Sequence, residues 1–266
     1  MGSVPIFAAI LAVVVIGFPL LMYLMQDRLL FFPQPVSESR RSEIAKRHPS
    51  VEEILLDAEG KKLHAWHIKG NPLVIYFGGN AEEVSWMIEE AKARTPGVGW
   101  LLVNYRGYGA SEGLPSEVSI SADALRWYDY AVKDLAAKEV VAFGRSLGSG
   151  AAVFLAAERK TAAVILVTPF DSLVEVAKHH YPILPVGLML RHRFDSAARA
   201  PAIKAPLLCI AASRDEVIPA LHARKLYDAW GGPKRWVEIE GAGHNSTDGA
   251  PVFWQSIGAF LEKSSL

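Results

Sequence analysis

The chain has 266 residues, with 28 Lys and Arg against 28 Asp and Glu, so its formal charge is zero. Without a basic surplus or a long charge run, it is read as having no nucleic-acid partner and no charged interaction tail. The one cysteine, Cys209, sits in the apolar stretch 206–210, which excludes an internal disulfide and predicts a core role. No Cys/His group has zinc-site spacing, so neither a metal nor another cofactor is expected.

Residues 4–25 carry no charged side chain, and these 22 residues are enough to cross a hydrocarbon core as a helix. No Lys or Arg precedes them and no A-x-A site follows, so an uncleaved membrane anchor is expected rather than a signal peptide. Arg28, Arg40, Arg41, Lys46 and Arg47 follow the anchor, which places the rest of the chain in the cytoplasm by the positive-inside rule. Residues 26–50 form a juxtamembrane linker. Within it, Leu29, Leu30, Phe31 and Phe32 read equally well as a collar at the bilayer surface or as a segment packed on the domain core. Residues 51–266 form a single domain, of a size that buries a substantial core.

Alternation over 51–56 and 62–68 around Asp57-Ala58-Glu59-Gly60 predicts a hairpin. Residues 73–77 form a continuous apolar run, a strand buried on both faces. A helix follows over 81–94, then a strand at 100–103, then a helix over 116–136 with Ser116 as N-cap. Further strands are expected at 140–143, 162–167, 207–211 and 236–239, with helices at 150–157, 220–230 and 252–262. Alternating strands and helices demand a mostly parallel sheet covered by helices on both faces, an α/β fold.

The stretch Gly144-Arg145-Ser146-Leu147-Gly148 reads G-x-S-x-G between a strand and a helix. This context puts Ser146 on a strained turn with its hydroxyl at the sheet edge, as a nucleophile requires. A serine hydroxyl needs a base, and the base needs an orienting acid. Asp215 follows the strand 207–211 and His244 follows the strand 236–239, so both fall on loops at strand carboxyl ends. Serine, acid, histidine is the α/β-hydrolase order. Glu216 and, more weakly, Asp171 are alternative acids. The backbone N–H of Leu147 is the first expected oxyanion donor. The backbone N–H of Asn80, in Gly78-Gly79-Asn80-Ala81 after the strand 73–77, is the second. The glycine-rich stretch 105–113 lacks the Lys-Ser/Thr pair of a phosphate loop. It is read as structural support, with Tyr105 or Arg106 lining the cleft.

FGGNAEE, VNYRGYGASEG, GRSLGSGAA, PFDSL, RFDS, SRDEVIP and GAGHN together resemble the small α/β-hydrolase-domain serine hydrolases. The likeness is to their membrane-anchored, depalmitoylase-like subgroup, and it runs from about residue 29 to residue 260. It implies an α/β-hydrolase fold with a short lid and an N-terminal transmembrane helix. It also implies Ser146 as nucleophile, Asp215 as acid, His244 as base, and Leu147 with Asn80 as oxyanion donors. In one departure, the family's donor loop usually begins His-Gly, whereas this chain has Gly78-Gly79. The backbone donors survive that change, but bracing by the histidine side chain does not.

The lid is expected within residues 170–200. Its apolar part, 181–190, reads either as an acyl-binding wall facing the membrane or as a short helix sealing the core. Gly79, Tyr105, Leu184 and Leu188 are the substrate-binding candidates. The leading expectation is hydrolysis of a carboxylic ester or thioester through an acyl-serine intermediate. The acyl group could belong to a lipid or a lipidated protein. A serine aminopeptidase-like hydrolase is the enzymatic alternative, and a non-catalytic binding module on the same fold is the other.

Overall fold

A computed structural model describes residues 13–264. Among them, eight strands form one sheet: β1 (Val51–Ala58), β2 (Lys61–Ile68), β3 (Leu73–Phe77), β4 (Gly99–Val103), β5 (Val140–Arg145), β6 (Ala163–Val167), β7 (Leu207–Ala212) and β8 (Lys234–Ile239). The order is β1-β2-β4-β3-β5-β6-β7-β8. The β1–β2 and β2–β4 pairs are antiparallel, and every later pair is parallel.

The parallel strands alternate between two cores, as a period-2 element must when both faces are dry. Leu73, Ile75 and Phe77 enter one core, while Val74 and Tyr76 enter the other. The helices that cover them are α1 (Phe18–Leu30), α2 (Glu38–Arg47), α3 (Met87–Arg94), α4 (Glu117–Lys133), α5 (Leu147–Glu158), α6 (Leu173–His180), α7 (Val186–Met189), α8 (Ser196–Arg199), α9 (Ala220–Ala229) and α10 (Pro251–Ser264). Helices α4, α5 and α9 close the first core, and α3 and α10 close the second. Ser116 caps α4 in a reciprocal capping box with Ser119.

The predicted helix over 81–94 is shorter in the structure. It opens as a 3₁₀ turn at Val84–Trp86 and becomes α-helical only at Met87. Ala81 has φ 57°, and the Glu82 side chain turns back onto Gly79, so these residues are held out of the helix.

The N-terminal region also differs from expectation. The linker assigned to 26–50 contains the end of α1 and all of α2, which Ser37 caps by accepting from the Arg40 N–H at 3.3 Å. Residues 4–12 of the expected anchor lie outside the described residues. Among the described residues, no helix is long and apolar enough to cross a membrane. The 13 residues of α1 rise about 20 Å, and a π-helical turn at Val13–Gly17 runs directly into it. Of the four residues read as collar or core, Phe31 is buried in the core and Leu30 packs against it, while Leu29 and Phe32 are about half exposed at 47% and 49%.

His64 on β2 is completely buried. Its Nδ1 accepts from Asn104 Nδ2 at 2.9 Å and from the Ala110 N–H at 3.3 Å. Burial pushes its pKa down to about 4; Arg41 adds to the lowering and Glu53 opposes it. An unfolded histidine titrates near 6.5. The folded value is therefore depressed, and the stability of the neutral imidazole is complete above about pH 6.5 and lost as pH falls toward 4. That loss is on the order of 3 kcal/mol. Urea unfolding of the wild type should therefore lose stability between pH 6.5 and 4 more steeply than unfolding of His64→Gln. Parallel pH profiles for the two proteins would refute this coupling.

Candidate active site

The strand-to-helix turn after β5 leaves no room for side chains at its two glycines. A Cβ on Gly148 would lie 2.0 Å from the Phe77 carbonyl oxygen, and one on Gly144 would lie 2.3 Å from the Gly148 carbonyl oxygen. Helix α5 is thereby pressed against β3 and β5. Ser146, at the turn, takes φ 50° and ψ −117°, a conformation few residues other than glycine adopt. Its N–H donates to the Val167 carbonyl at 2.9 Å, and its carbonyl accepts from the Ser149 N–H at 2.9 Å and the Ser149 hydroxyl at 2.6 Å.

Asp215 lies on the loop after β7 and His244 on the loop after β8. The two loops are tied by the Arg214 N–H to the Ala242 carbonyl at 2.9 Å and by the Gly241 N–H to Ser213 Oγ at 2.8 Å. Asp215 Oδ1 accepts from the Val217 and Ile218 N–H groups at 2.9 and 2.7 Å. Its Oδ2 lies 2.7 Å from His244 Nδ1, and His244 Nε2 lies 2.7 Å from Ser146 Oγ. An ionised carboxylate only accepts, so Nδ1 carries the proton; Nε2 is then the acceptor, and the Ser146 hydroxyl donates to it. The structure brings Ser146, His244 and Asp215 into one hydrogen-bonded relay. Glu216 is exposed. Asp171 is engaged elsewhere, 2.8 Å from His222 Nδ1.

The loop after β3 ends beside Ser146. Among the described residues, neither the Asn80 nor the Leu147 N–H has a backbone acceptor. The loop is braced by groups that sequence reading missed. Glu82 Oε2 accepts from the Gly79 N–H at 2.6 Å, and Glu82 Oε1 accepts from the Tyr76 hydroxyl at 2.7 Å and from Trp86 Nε1 at 3.0 Å. The Tyr105 hydroxyl donates to the Gly78 carbonyl at 2.7 Å. The Asn80 side chain accepts from the Tyr108 hydroxyl at 2.9 Å and donates to the Leu30 carbonyl at 2.5 Å. Burial holds the Tyr76 and Tyr105 phenols well above their usual range and Tyr108 at about 12, so all three remain donors. A carboxylate three residues after the second glycine was the available sequence signal.

Two cavities meet at Ser146. One, of about 540 Å³, is lined by Leu147, Phe170, Leu184 and Met189, and also by Met22, Leu29 and Leu30 from the N-terminal helix. The other, of about 660 Å³, is lined by His244 and Gly79 with the polar groups Glu82, Arg145, Asn245 and Asp248. Of the substrate-binding candidates, Leu184 and Gly79 each line a cavity. The other two do not line either, and those expectations are corrected. Leu188 is 91% exposed because α7 presents Val186 inward instead. Tyr105 is buried behind the loop it braces. Arg106, expected at the cleft, is committed to Asp123 through two bonds of 2.8 Å. Among the described residues, no three His, Cys, Asp or Glu side chains group to hold a metal ion.

No family model matches the sequence. An uncharacterized protein of Mycobacterium tuberculosis (strain ATCC 25618 / H37Rv) is 34% identical over 97% of this chain and 95% of its own length. The alpha/beta hydrolase domain-containing protein WAV2 of Arabidopsis thaliana is 30% identical over 94% of this chain and 92% of its own. A solved structure of the Pyrococcus furiosus esterase Pf2001 shares the fold, with a TM-score of 0.68, 18% identity, and coverage of 88% of this chain and 97% of that one. With a strand–Ser146–helix elbow on a mostly parallel eight-stranded sheet, and with a relative of that name matching nearly end to end, the chain belongs to the α/β-hydrolase superfamily.

Proposed function

We propose that the protein is a membrane-anchored serine hydrolase that cleaves carboxylic esters or thioesters through an acyl-Ser146 intermediate. The Ser146–His244–Asp215 relay, with both contacts at 2.7 Å, carries this reading. As Ser146 Oγ adds to the acyl carbonyl, its proton passes to His244 Nε2, and Asp215 balances the imidazolium. The oxyanion forms between the Leu147 and Asn80 N–H groups. Collapse expels the alcohol or thiol, which takes the proton from Nε2. A water then gives a proton to His244 and attacks the acyl-serine, releasing the carboxylic acid and restoring Ser146. The acyl chain occupies the apolar cavity, and the leaving group occupies the polar one.

Names of relatives support ester chemistry. A Danio rerio protein named lysophosphatidylserine lipase ABHD12 is 31% identical over 59% of this chain and 47% of its own length. An aminopeptidase would need a carboxylate on the acyl side to hold the substrate amine. None lines that cavity among the described residues; of the lid acids, Asp171 lies 2.8 Å from His222 Nδ1 and Glu175 pairs with Lys178 at 2.7 Å. The depalmitoylase-like assignment follows from the same apolar acyl side together with the sequence resemblance.

The anchor rests on the uncharged stretch 4–25 and on a yeast relative. That relative, from Saccharomyces cerevisiae, is named a membrane protein and is 29% identical over 78% of each chain. The exposed apolar residues Phe18, Leu20, Leu21 and Leu24 of α1 suit the same reading. Basic residues after residue 25 put the catalytic domain in the cytoplasm. The full chain should stay in the membrane pellet after alkaline carbonate extraction, and its release would remove the anchor.

A fluorophosphonate probe should label the wild type and not Ser146→Ala, and kcat/KM on p-nitrophenyl butyrate should fall more than about 10³-fold in Ser146→Ala and His244→Ala. A folded but unlabelled wild type would favour the non-catalytic module. Glu82→Gln puts an amide among three donors that a carboxylate now satisfies. It should lower kcat about tenfold with little change in KM, a smaller loss than deletion of an oxyanion donor. An unchanged kcat with a lowered melting temperature would make Glu82 structural only.

A further inference from the structure

We propose that α1, which spans the end of the expected anchor and the residues after it, forms one wall of the acyl-binding site and selects for long acyl chains. This rests on the ester or thioester reading above. Met22, Tyr23, Gln26, Leu29 and Leu30 lie on one face of α1, at i, i+1, i+4, i+7 and i+8, and all line the apolar cavity that holds Ser146 and Leu147. The lid residues Leu184 and Met189 line it too.

Two polar clamps hold α1 in this place. At the lid, Gln26 is only 7% exposed, although it sits on an otherwise apolar helix. Its Nε2 donates to the Tyr23 carbonyl of its own helix at 2.8 Å and to the Met189 carbonyl of the lid at 3.2 Å, and its Oε1 accepts from the Arg191 N–H at 2.7 Å. Next to it, Asp27 Oδ1 accepts from Arg191 Nη2 at 3.0 Å and from His192 Nε2 at 2.8 Å. His192 Nδ1 accepts from the Glu117 N–H at 3.2 Å, which leaves the proton on Nε2. At the other end, the Asn80 side chain donates to the Leu30 carbonyl at 2.5 Å and accepts from the Phe32 N–H at 3.0 Å. Asn80 is also the proposed oxyanion residue. The helix therefore joins the lid to the catalytic loop across the mouth of the acyl cavity. A helix serving only as an anchor has no use for a buried amide bonded to the lid backbone.

The occupant follows from volume and lining. At about 540 Å³, the cavity is of the size that holds an extended apolar chain rather than a short acyl group alone. Among the described residues, no Asp, Glu, Lys or Arg lines it. Each methylene buried there should improve binding about fourfold. Short acyl groups fill only part of the cavity, whereas long ones pack along its length, including the face of α1.

The test uses the full chain in detergent micelles, with p-nitrophenyl butyrate and p-nitrophenyl dodecanoate as substrates and Leu29→Trp and Met22→Trp as variants. A tryptophan on this face fills part of the cavity that α1 lines. The dodecanoate-to-butyrate ratio of kcat/KM should fall about tenfold or more, the equivalent of about two methylenes losing their contacts. Binding of 11-(dansylamino)undecanoic acid to the Ser146→Ala protein should weaken by a similar factor when either tryptophan is added. Ratios and affinities within about twofold of the parent for both variants would overturn the wall. If the wild type hydrolyses neither ester, the catalytic reading fails, and dansyl-acid binding alone then decides the wall.

Discussion

The close approach of α5 to β3 is the constraint on which the site depends. With only 2.0 Å between a Cβ on Gly148 and the Phe77 carbonyl, the helix can sit this near the sheet only with glycine there. The connection from β5 must then be made in one residue, and Ser146 takes φ 50° to make it. Such a conformation costs about 1–3 kcal/mol and persists only where its surroundings enforce it. Here the Val167 carbonyl fixes the Ser146 N–H, and Ser149 holds the Ser146 carbonyl twice. What results is a serine whose hydroxyl faces outward and whose successor N–H stands at a helix N-terminus. Strands β7 and β8 lie parallel to β5, so the loops after them end at the same rim, and Asp215 and His244 need only short excursions to reach it.

The loop after β3 solves a second problem by different means. The loop begins with Gly78 and Gly79, which offer no side chain to brace it, and the neighbouring residues hold it instead. Glu82 takes its three donors from the Gly79 backbone, Tyr76 and Trp86. A partly buried carboxylate is tolerable only with such partners, because an unpaired buried charge is far costlier than a bonded one. Burial keeps Tyr76 protonated and therefore able to serve. The brace is satisfied on both sides, and a loop held in this way can present its free N–H groups without rearrangement, as the proposed oxyanion role requires.

Legibility from sequence follows the range of the interactions involved. The buried strands were visible because residues such as 73–77 and 140–143 are continuously apolar, and Ser146 was visible because its turn has local glycine chemistry. Asp215 and His244 could be picked out by their positions after strand ends, without knowing any distance. Glu82 was missed because a helix was expected to begin at residue 81, which would have turned its carboxylate to solvent. Tyr105 and Arg106 follow β4 as cleft residues would, but partners distant in sequence, Gly78 and Asp123, draw them inward. Nothing local announces such partners.

The N-terminal helix shows why hydropathy alone does not say what an apolar segment faces. A side chain facing lipid and one facing an acyl-chain cavity have the same transfer free energy, so both read as one apolar run. Leu20, Leu21 and Leu24 are 52–66% exposed, while Met22 and Leu30 turn to the cavity, yet all five look alike in sequence. The distinguishing mark is Gln26, the first polar side chain after the run. Burying an amide without partners costs about 1–3 kcal/mol, so its place in the cavity wall requires the bonds it makes to Met189 and Arg191. The bonds from Gln26 to the lid hold α1 in the orientation that turns Met22 and Leu29 toward the cavity at Ser146.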